Sequence, residues 1–409
     1  MRMRYPLVVI TNLFLQIAFA GDPDDRITIF LDCEFCNEAQ VKKELDYVNF
    51  ALDPYRSDLH VFVSRQWLSS GGQQYFIEFI GKSDWEGEKV KFDFTSLPTL
   101  TSFEQNELII NKIEIGLVPF LAKTKLADGI NLEINTKESN NAPSSNNGFW
   151  NNFIFDLGGN VAWSSEATRK DLRFNTNVNM ESTTEEWRFR VTPTYFYRHQ
   201  TIQTNDQEVI ATQTRGNFPW SLVKSIDTHW SAGIFNSYYT SNFSNIDLSI
   251  WLAPAIEYSI FPYSDVPERE FTVSYRLGYL YRDYIEETIF NKLTEQLYQQ
   301  MLDVNLRMRR PWGNIFAGMS SSNFMNDWSK NRLVLNGQFS VRVFKGLSVS
   351  FGGNYELIND QISLPKGKIT LEDLLLAQRQ QATSFQSSMN LGINYTFGAI
   401  YNNVINTRL

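Results

Sequence analysis

Trp187, Phe189, Val191, Pro193, Tyr195 and Tyr197 occupy alternate positions of one segment, with Arg188, Arg190, Thr192, Thr194 and Arg198 between them. Side chains of an extended strand point to opposite faces in turn, so this segment presents aromatic bulk on one side and arginine on the other. The pattern returns in Phe271, Val273, Tyr275, Leu277, Tyr279 and Tyr281 against Thr272, Ser274, Arg276 and Arg282. It returns again in Leu302, Val304, Leu306 and Met308 against Asp303, Asn305, Arg307 and Arg309. A soluble sandwich also alternates, but its strands are typically about 5 to 6 residues, and these runs are two to three times longer. Aromatic residues make up 14% of the chain at a mean hydropathy of -0.30, as strands that mix aromatic and polar residues require.

Twelve such segments are expected, near 150-163, 168-181, 185-199, 208-224, 228-242, 246-262, 269-284, 293-310, 311-325, 330-344, 345-361 and 380-397. An even number returns the chain to the side on which it began. Connections at 183-185, 226-228, 264-267, 311-313 and 345-346 read as short turns, and those at 200-208, 285-293, 323-331 and 362-379 as mostly longer loops. In transmembrane barrels the short turns face the periplasm. The fold class expected is mainly β: a small periplasmic α+β domain followed by an antiparallel transmembrane β-barrel of about 12 strands.

Arg2 and Arg4 precede an apolar run that ends in Ala18-Phe19-Ala20, a secretory signal peptide over residues 1-20. No later run is long and apolar enough for a membrane helix. Residues 21-125 read as the α+β domain, with strands at Ile27-Asp32, Leu59-Val63, Tyr75-Ile80 and Lys89-Phe94. Helices are expected at Glu38-Asn49 and at Phe103-Lys123, the second kinked by Pro119, and Ser69 to Gly72 reads as a hairpin turn. Residues 126-148, ending in the Asn- and Ser-rich run Lys137-Gly148, read as a linker, 149-397 as the barrel and 398-409 as a periplasmic tail. A net charge of -8 argues against a nucleic-acid partner.

Cys33 and Cys36 are the only cysteines and flank the turn from the first strand to the first helix. In an oxidising compartment a structural disulfide is expected, with a redox role or a zinc site completed by His60 as alternatives. Asp227 with His229, and His199 near an outer loop, form no recognisable catalytic set, so no enzyme activity, metal or cofactor is expected. Arg173, Arg188, Arg190, Arg276, Arg282, Arg307, Arg309 and Arg342 are expected to face the lumen, neutralised by Asp156, Asp303 and Glu356. They would form either a salt-bridged core or the wall of a narrow anion-preferring pore. Thr370 to Asp373 carries a capping-box pattern opening a short helix over Leu374-Gln381 in the last outer loop.

Asn390-Leu391-Gly392-Ile393-Asn394-Tyr395-Thr396-Phe397 resembles the β-signal of bacterial outer-membrane proteins, which implies that the barrel assembly machinery would read Asn390, Gly392, Tyr395 and Phe397. The marks DCEFCN, HWSAG, LAPAIEYSIFPYS, EETIF, RRPWG, FKGLS and YTFGAIYNNV make the mature chain similar to an uncharacterised outer-membrane family of Bacteroidota. Its barrel is more weakly similar to the salt-induced outer-membrane protein family. The resemblance implies an outer-membrane location in contact with lipid and says nothing of an activity. The function expected is that of an envelope scaffold or accessory subunit whose periplasmic domain docks another envelope protein.

Overall fold

The computed structural model describes residues 26-67, 72-96, 100-129, 153-203, 208-266, 268-344, 346-367 and 380-398. The expected signal peptide, the Lys137-Gly148 linker, the turn at Ser69-Gly71 and the chain beyond Gly398 lie outside these residues. So does the helix expected at Leu374-Gln381, except for its last two residues, which are not helical.

The fold class is mainly β, with a small α+β unit ahead of a large antiparallel sheet. The first unit contains β1 (Thr28-Asp32), α1 (Glu38-Glu44), β2 (Asn49-Phe50), β3 (Leu59-Trp67), β4 (Gln73-Gly81), β5 (Lys89-Ser96) and α2 (Ser102-Leu121). The sheet order is β2-β1-β3-β4-β5, with β1 parallel to β2 and β3, and β3, β4 and β5 antiparallel. The helix expected to reach Asn49 stops at Glu44, because Asn49 and Phe50 join the ladder beside Thr28 and Ile29. Thr101 and Glu104 form a reciprocal capping box that starts α2. The helix runs through Pro119 and ends two residues later. Its Ile109, Ile113, Leu117 and Phe120 recur at helical spacing and pack on Val61, Ile77 and Phe79 of the sheet. One face of the sheet is therefore sealed by α2. The other, carrying Phe30, Asp32, His60 and Phe62, has no helix over it.

The large sheet runs β6 (Phe153-Ser165), β7 (Arg169-Thr183), β8 (Trp187-Val191), β9 (Thr194-Gln203), β10 (Glu208-Ser225), β11 (Trp230-Ser241) and β12 (Ile246-Ser259). It continues with β13 (Arg269-Tyr284), β14 (Thr294-Arg310), β15 (Gly313-Phe324), β16 (Asp327-Phe344), β17 (Leu347-Ile358) and β18 (Phe385-Tyr395). β8 and β9 are one span. Val191 and Thr194 pair with β7 and β10 in an unbroken register, and Pro193 interrupts the ladder only because it has no N-H to give. The segments read from the sequence thus correspond to twelve antiparallel spans. Two connections differ from expectation. Met325 and Asn326 alone join β15 to β16, since Asn323 still pairs with Asn331 despite the polar composition that reads as a loop. The link from β12 to β13 is longer than expected and carries a 3-10 turn at Tyr263-Asp265. The long loops are those at 285-293 and 359-384.

The two faces of this sheet differ as the alternation requires. Leu222, Ile234, Leu252, Tyr275, Leu335 and Phe339 stand exposed on one face, at 36 to 45% of their full accessibility. The opposite face is concave, since Arg276 of β13 reaches across β12 to lie 4.7 Å over the Phe235 ring of β11. Among the described residues no ladder joins the outermost strands β6 and β18.

Gly116 of α2 has no room for a side chain, because an added Cβ would lie 2.2 Å from the buried ring of Phe79. Gly116→Ala should destabilise the first unit by about 1 to 3 kcal/mol through overpacking. Hydrogen exchange of the α2 amides in the full chain measures this, and unchanged protection would contradict the packing described.

Candidate functional site: the charged lumen and the unit seated on it

The concave face holds arginines in clusters, several of them neutralised by a carboxylate near in register. Glu181 of β7 is 3% exposed and pairs opposite Arg190; it accepts from Arg188, and from Arg190 through both Nε at 3.2 Å and Nη2 at 3.1 Å. Asp171 accepts from Arg198 at 2.6 Å and from Arg173 at 3.0 Å. Arg307 binds Glu270 at 3.2 Å, and Arg332 binds both Glu356 and Asp360. These pairings agree with the expected ones in part. Asp303 lies 3.7 Å from Arg276, one of the expected arginines, whereas Glu356 serves Arg332, which is not among them, and Asp156 faces the lumen but makes no ion pair among the described residues.

At the end with the long loops, apolar side chains cluster on the lumen face. Leu280, Phe324 and Ile362 form a buried cluster with Trp251 and Leu297 against it. Gly278 makes space for the Trp251 indole, since an added Cβ there would meet Nε1 at 2.4 Å. Asn245, held at φ 56°, ties three loops together: its Nδ2 donates to the carbonyls of Glu286 and Ser363, each at 2.9 Å, and its Oδ1 accepts from the Glu286 amide at 2.8 Å.

At the short-turn end, the open face of the first unit sits on the rim of the sheet. Arg342 of β16 grips Asp32 with two bonds of 2.6 and 2.7 Å, donates to the carbonyl of Pro311 at 2.6 Å and lies over the Phe30 ring. Buried His60 contacts the same carboxylate at 2.9 Å. Arg309 donates to the backbone carbonyl of Arg65 at 2.6 Å, Asn314 to Glu34 at 3.0 Å, and Glu268 receives both Lys91 and Arg310. Burial raises the pKa of Asp32, but the hydrogen bonds and charges of Arg342 and His60 outweigh it and hold the group below its ordinary 3.8.

Cys33 and Cys36 form a disulfide with Cα atoms 5.5 Å apart. It closes the turn whose Asp32 and Glu34 reach the rim and whose Phe35 ring supports the Arg65 guanidinium at 4.1 Å. His60 is engaged with Asp32, and no metal-binding group of three or more His, Cys, Asp or Glu occurs among the described residues. Asp227 caps its own turn by accepting from the backbone of His229 and Trp230, which holds its carboxyl below the usual range, and the His229 ring goes to the Ser259 carbonyl. Among the described residues His199 meets Thr212 at hydrogen-bond distance, 3.2 Å away. Of the β-signal positions, Asn390 and Gly392 lie on the lumen face of β18, against Gly352 and Ser350, while Tyr395 and Phe397 stack at 5.6 Å on the exposed face.

Asp32, Glu181, Asp171, Glu268, Glu270 and Asp360 are the partners that pattern reading missed. Counting outward from the turn after Thr183 would have placed Glu181 opposite Arg190. No local signal joins Asp32 to a residue more than 300 positions away.

No family model and no curated protein matches the chain. Among solved structures it is similar to the translocator domain of autotransporter NalP from Neisseria meningitidis, 13% identical over 60% of this chain and 80% of that one, with a TM-score of 0.20. It is also similar to the beta domain of the Bordetella autotransporter Brka, 10% identical over 59% and 98%, with a TM-score of 0.25. At such scores neither neighbour carries weight for architecture or activity, and the resemblance to the Bacteroidota family rests on the sequence marks alone.

Two outcomes follow from the ion pairs. Because Asp32 is depressed in the folded chain, its contribution is complete above the ordinary carboxylate value and is lost as pH falls through the depressed one. The unit should stay seated at pH 5 and release only in stronger acid, whereas Asp32→Asn should release it at neutral pH. Release would appear as loss of cross-linking between Lys91→Cys and Glu268→Cys, slower by at least about tenfold, since a charge-assisted pair is worth about 1.5 to 3 kcal/mol; equal cross-linking would refute the latch. In the lumen, Glu181→Gln strands two arginines. After discounting for their exposure it should cost about 1 to 3 kcal/mol, more than Asp303→Asn, whose partner is already at 3.7 Å. Thermal unfolding of both variants in lipid gives the order.

Proposed function

We propose that the chain is an integral outer-membrane β-barrel acting as a closed envelope scaffold, with its N-terminal unit seated over the periplasmic end. The observation that carries this reading is the opposition of faces: the exposed side of the long strands is apolar and aromatic, and the side behind it is charged and paired. Water-soluble proteins rarely expose so extended an apolar surface, and lipid is the medium in which it is stable. A sheet in hydrocarbon cannot leave backbone groups unpaired, so the barrel closes in the membrane by pairing β6 with β18. The odd and even places of these two strands among twelve spans make that pair antiparallel. The short turns set the first unit on the periplasmic side, where it docks an envelope partner. β18, with its resemblance to the β-signal, is the strand offered to the assembly machinery.

Contacts at both ends support a scaffold rather than a pore: Ile362 packs with Leu280 and Phe324 at one end, and the first unit is bonded to the rim at the other. The lumen arginines favour a second reading, a narrow anion-preferring pore. Neither reading assigns catalysis. The purified protein should migrate as a heat-modifiable band and give no steady conductance in planar bilayers. Steady anion-selective openings of the unmodified protein would establish the pore instead, and recovery as a soluble monomer without detergent would defeat the barrel.

A further inference from the structure

Between the seated unit and the rim lies a cavity of about 420 Å³, within the size range of small-ligand sites and, like many of them, at a junction of two units. Its walls are unlike each other. Arg309, Arg310 and Arg342 come from the sheet and Arg65 from the seated unit, while Phe35, Phe62 and Val63 supply an apolar side. The carboxylates present are already committed: Asp32 to Arg342 and His60, and Glu34 to the Asn314 amide. Arg310 has Glu268 and the neighbouring Arg307 has Glu270. Arg309 is different. It is half-buried, its hydrogen bond goes to a neutral carbonyl, and among the described residues it has no carboxylate within ion-pair distance. The Glu34 carboxylate is near enough to offset part of the cost of burying this guanidinium beside Arg65 and Arg307, and an anion would relieve the rest. Its fork of donors matches the paired oxygens of a carboxylate or a phosphate.

We infer that this vestibule binds a small organic anion, with a carboxylate or phosphate held by Arg309 and an apolar body laid against Phe35 and Phe62. Apart from Arg310 at the strand end, the lining side chains of β14 to β17 lie on the lumen face, so the ligand is a water-soluble solute and not a lipid headgroup.

The test uses the full chain in lipid nanodiscs, titrated calorimetrically with phenyl phosphate, phenylacetate and inorganic phosphate. A cross-link between Lys91→Cys and Glu268→Cys in a parallel sample reports whether the unit is seated. Saturable binding of an aromatic anion is expected, weakened at least about tenfold in Arg309→Gln, which keeps a neutral donor for the Arg65 carbonyl. Phenyl phosphate and phenylacetate distinguish the two acid groups, and Phe62→Ala should erase the advantage of phenyl phosphate over inorganic phosphate. Absence of saturation with the unit seated, or equal affinity in Arg309→Gln, would overturn the site. Equal affinity for inorganic and phenyl phosphate would overturn the part given to the apolar wall.

Discussion

A concave surface lined with arginine is stable only if the charge is answered inside it, and the rest of this molecule follows from where the answering carboxylates lie. Glu181 and Asp171 each serve two guanidinium groups, Glu181 those of Arg188 and Arg190 on the next strand, Asp171 those of Arg173 on its own strand and Arg198 on the next. Glu181 lies directly opposite Arg190, and the other partners are two residues away in register or along the strand, so the sheet must hold its pairing for the charges to remain neutralised. A slip of one residue would turn every arginine toward the apolar face. The ion pairs and the alternation therefore enforce the same register.

The rim is where that internal neutrality fails. Arg342 has no carboxylate partner within the sheet and takes Asp32 from the first unit, while Arg309 takes only a backbone carbonyl. The first unit has one face sealed by α2 and one face bearing Phe30, Asp32 and His60, so the two parts meet through surfaces that each leave something uncovered. The disulfide of Cys33 and Cys36 closes the turn that carries the contacting side chains, which gives it a structural place at the junction as well as within its own unit. At the opposite end the filling is apolar, with Trp251, Phe324 and Ile362 in place of ion pairs.

Much of the architecture was legible in the chain. Alternation of period two located all twelve spans, because a sheet with two unlike solvents at its faces imposes that period on every strand. Helical spacing located α2, and the isolated cysteine pair located the disulfide. The errors lie where tertiary hydrogen bonding overrides composition. Asn49 and Phe50 leave the expected helix to extend a ladder, and the polar stretch around Met325 pairs almost to its tip.

The sequence by itself determined which side chains share a face, and hence that arginines and aromatics must lie on opposite sides of one sheet, because that depends only on the geometry of an extended backbone. The tertiary structure decided which carboxylate meets which arginine, since Asp32 reaches Arg342, Glu268 reaches both Lys91 and Arg310, and Ile362 enters the far mouth across large sequence separations. Those contacts depend on how twelve strands curve and on where a separately folded unit comes to rest, and neither is encoded in any local period.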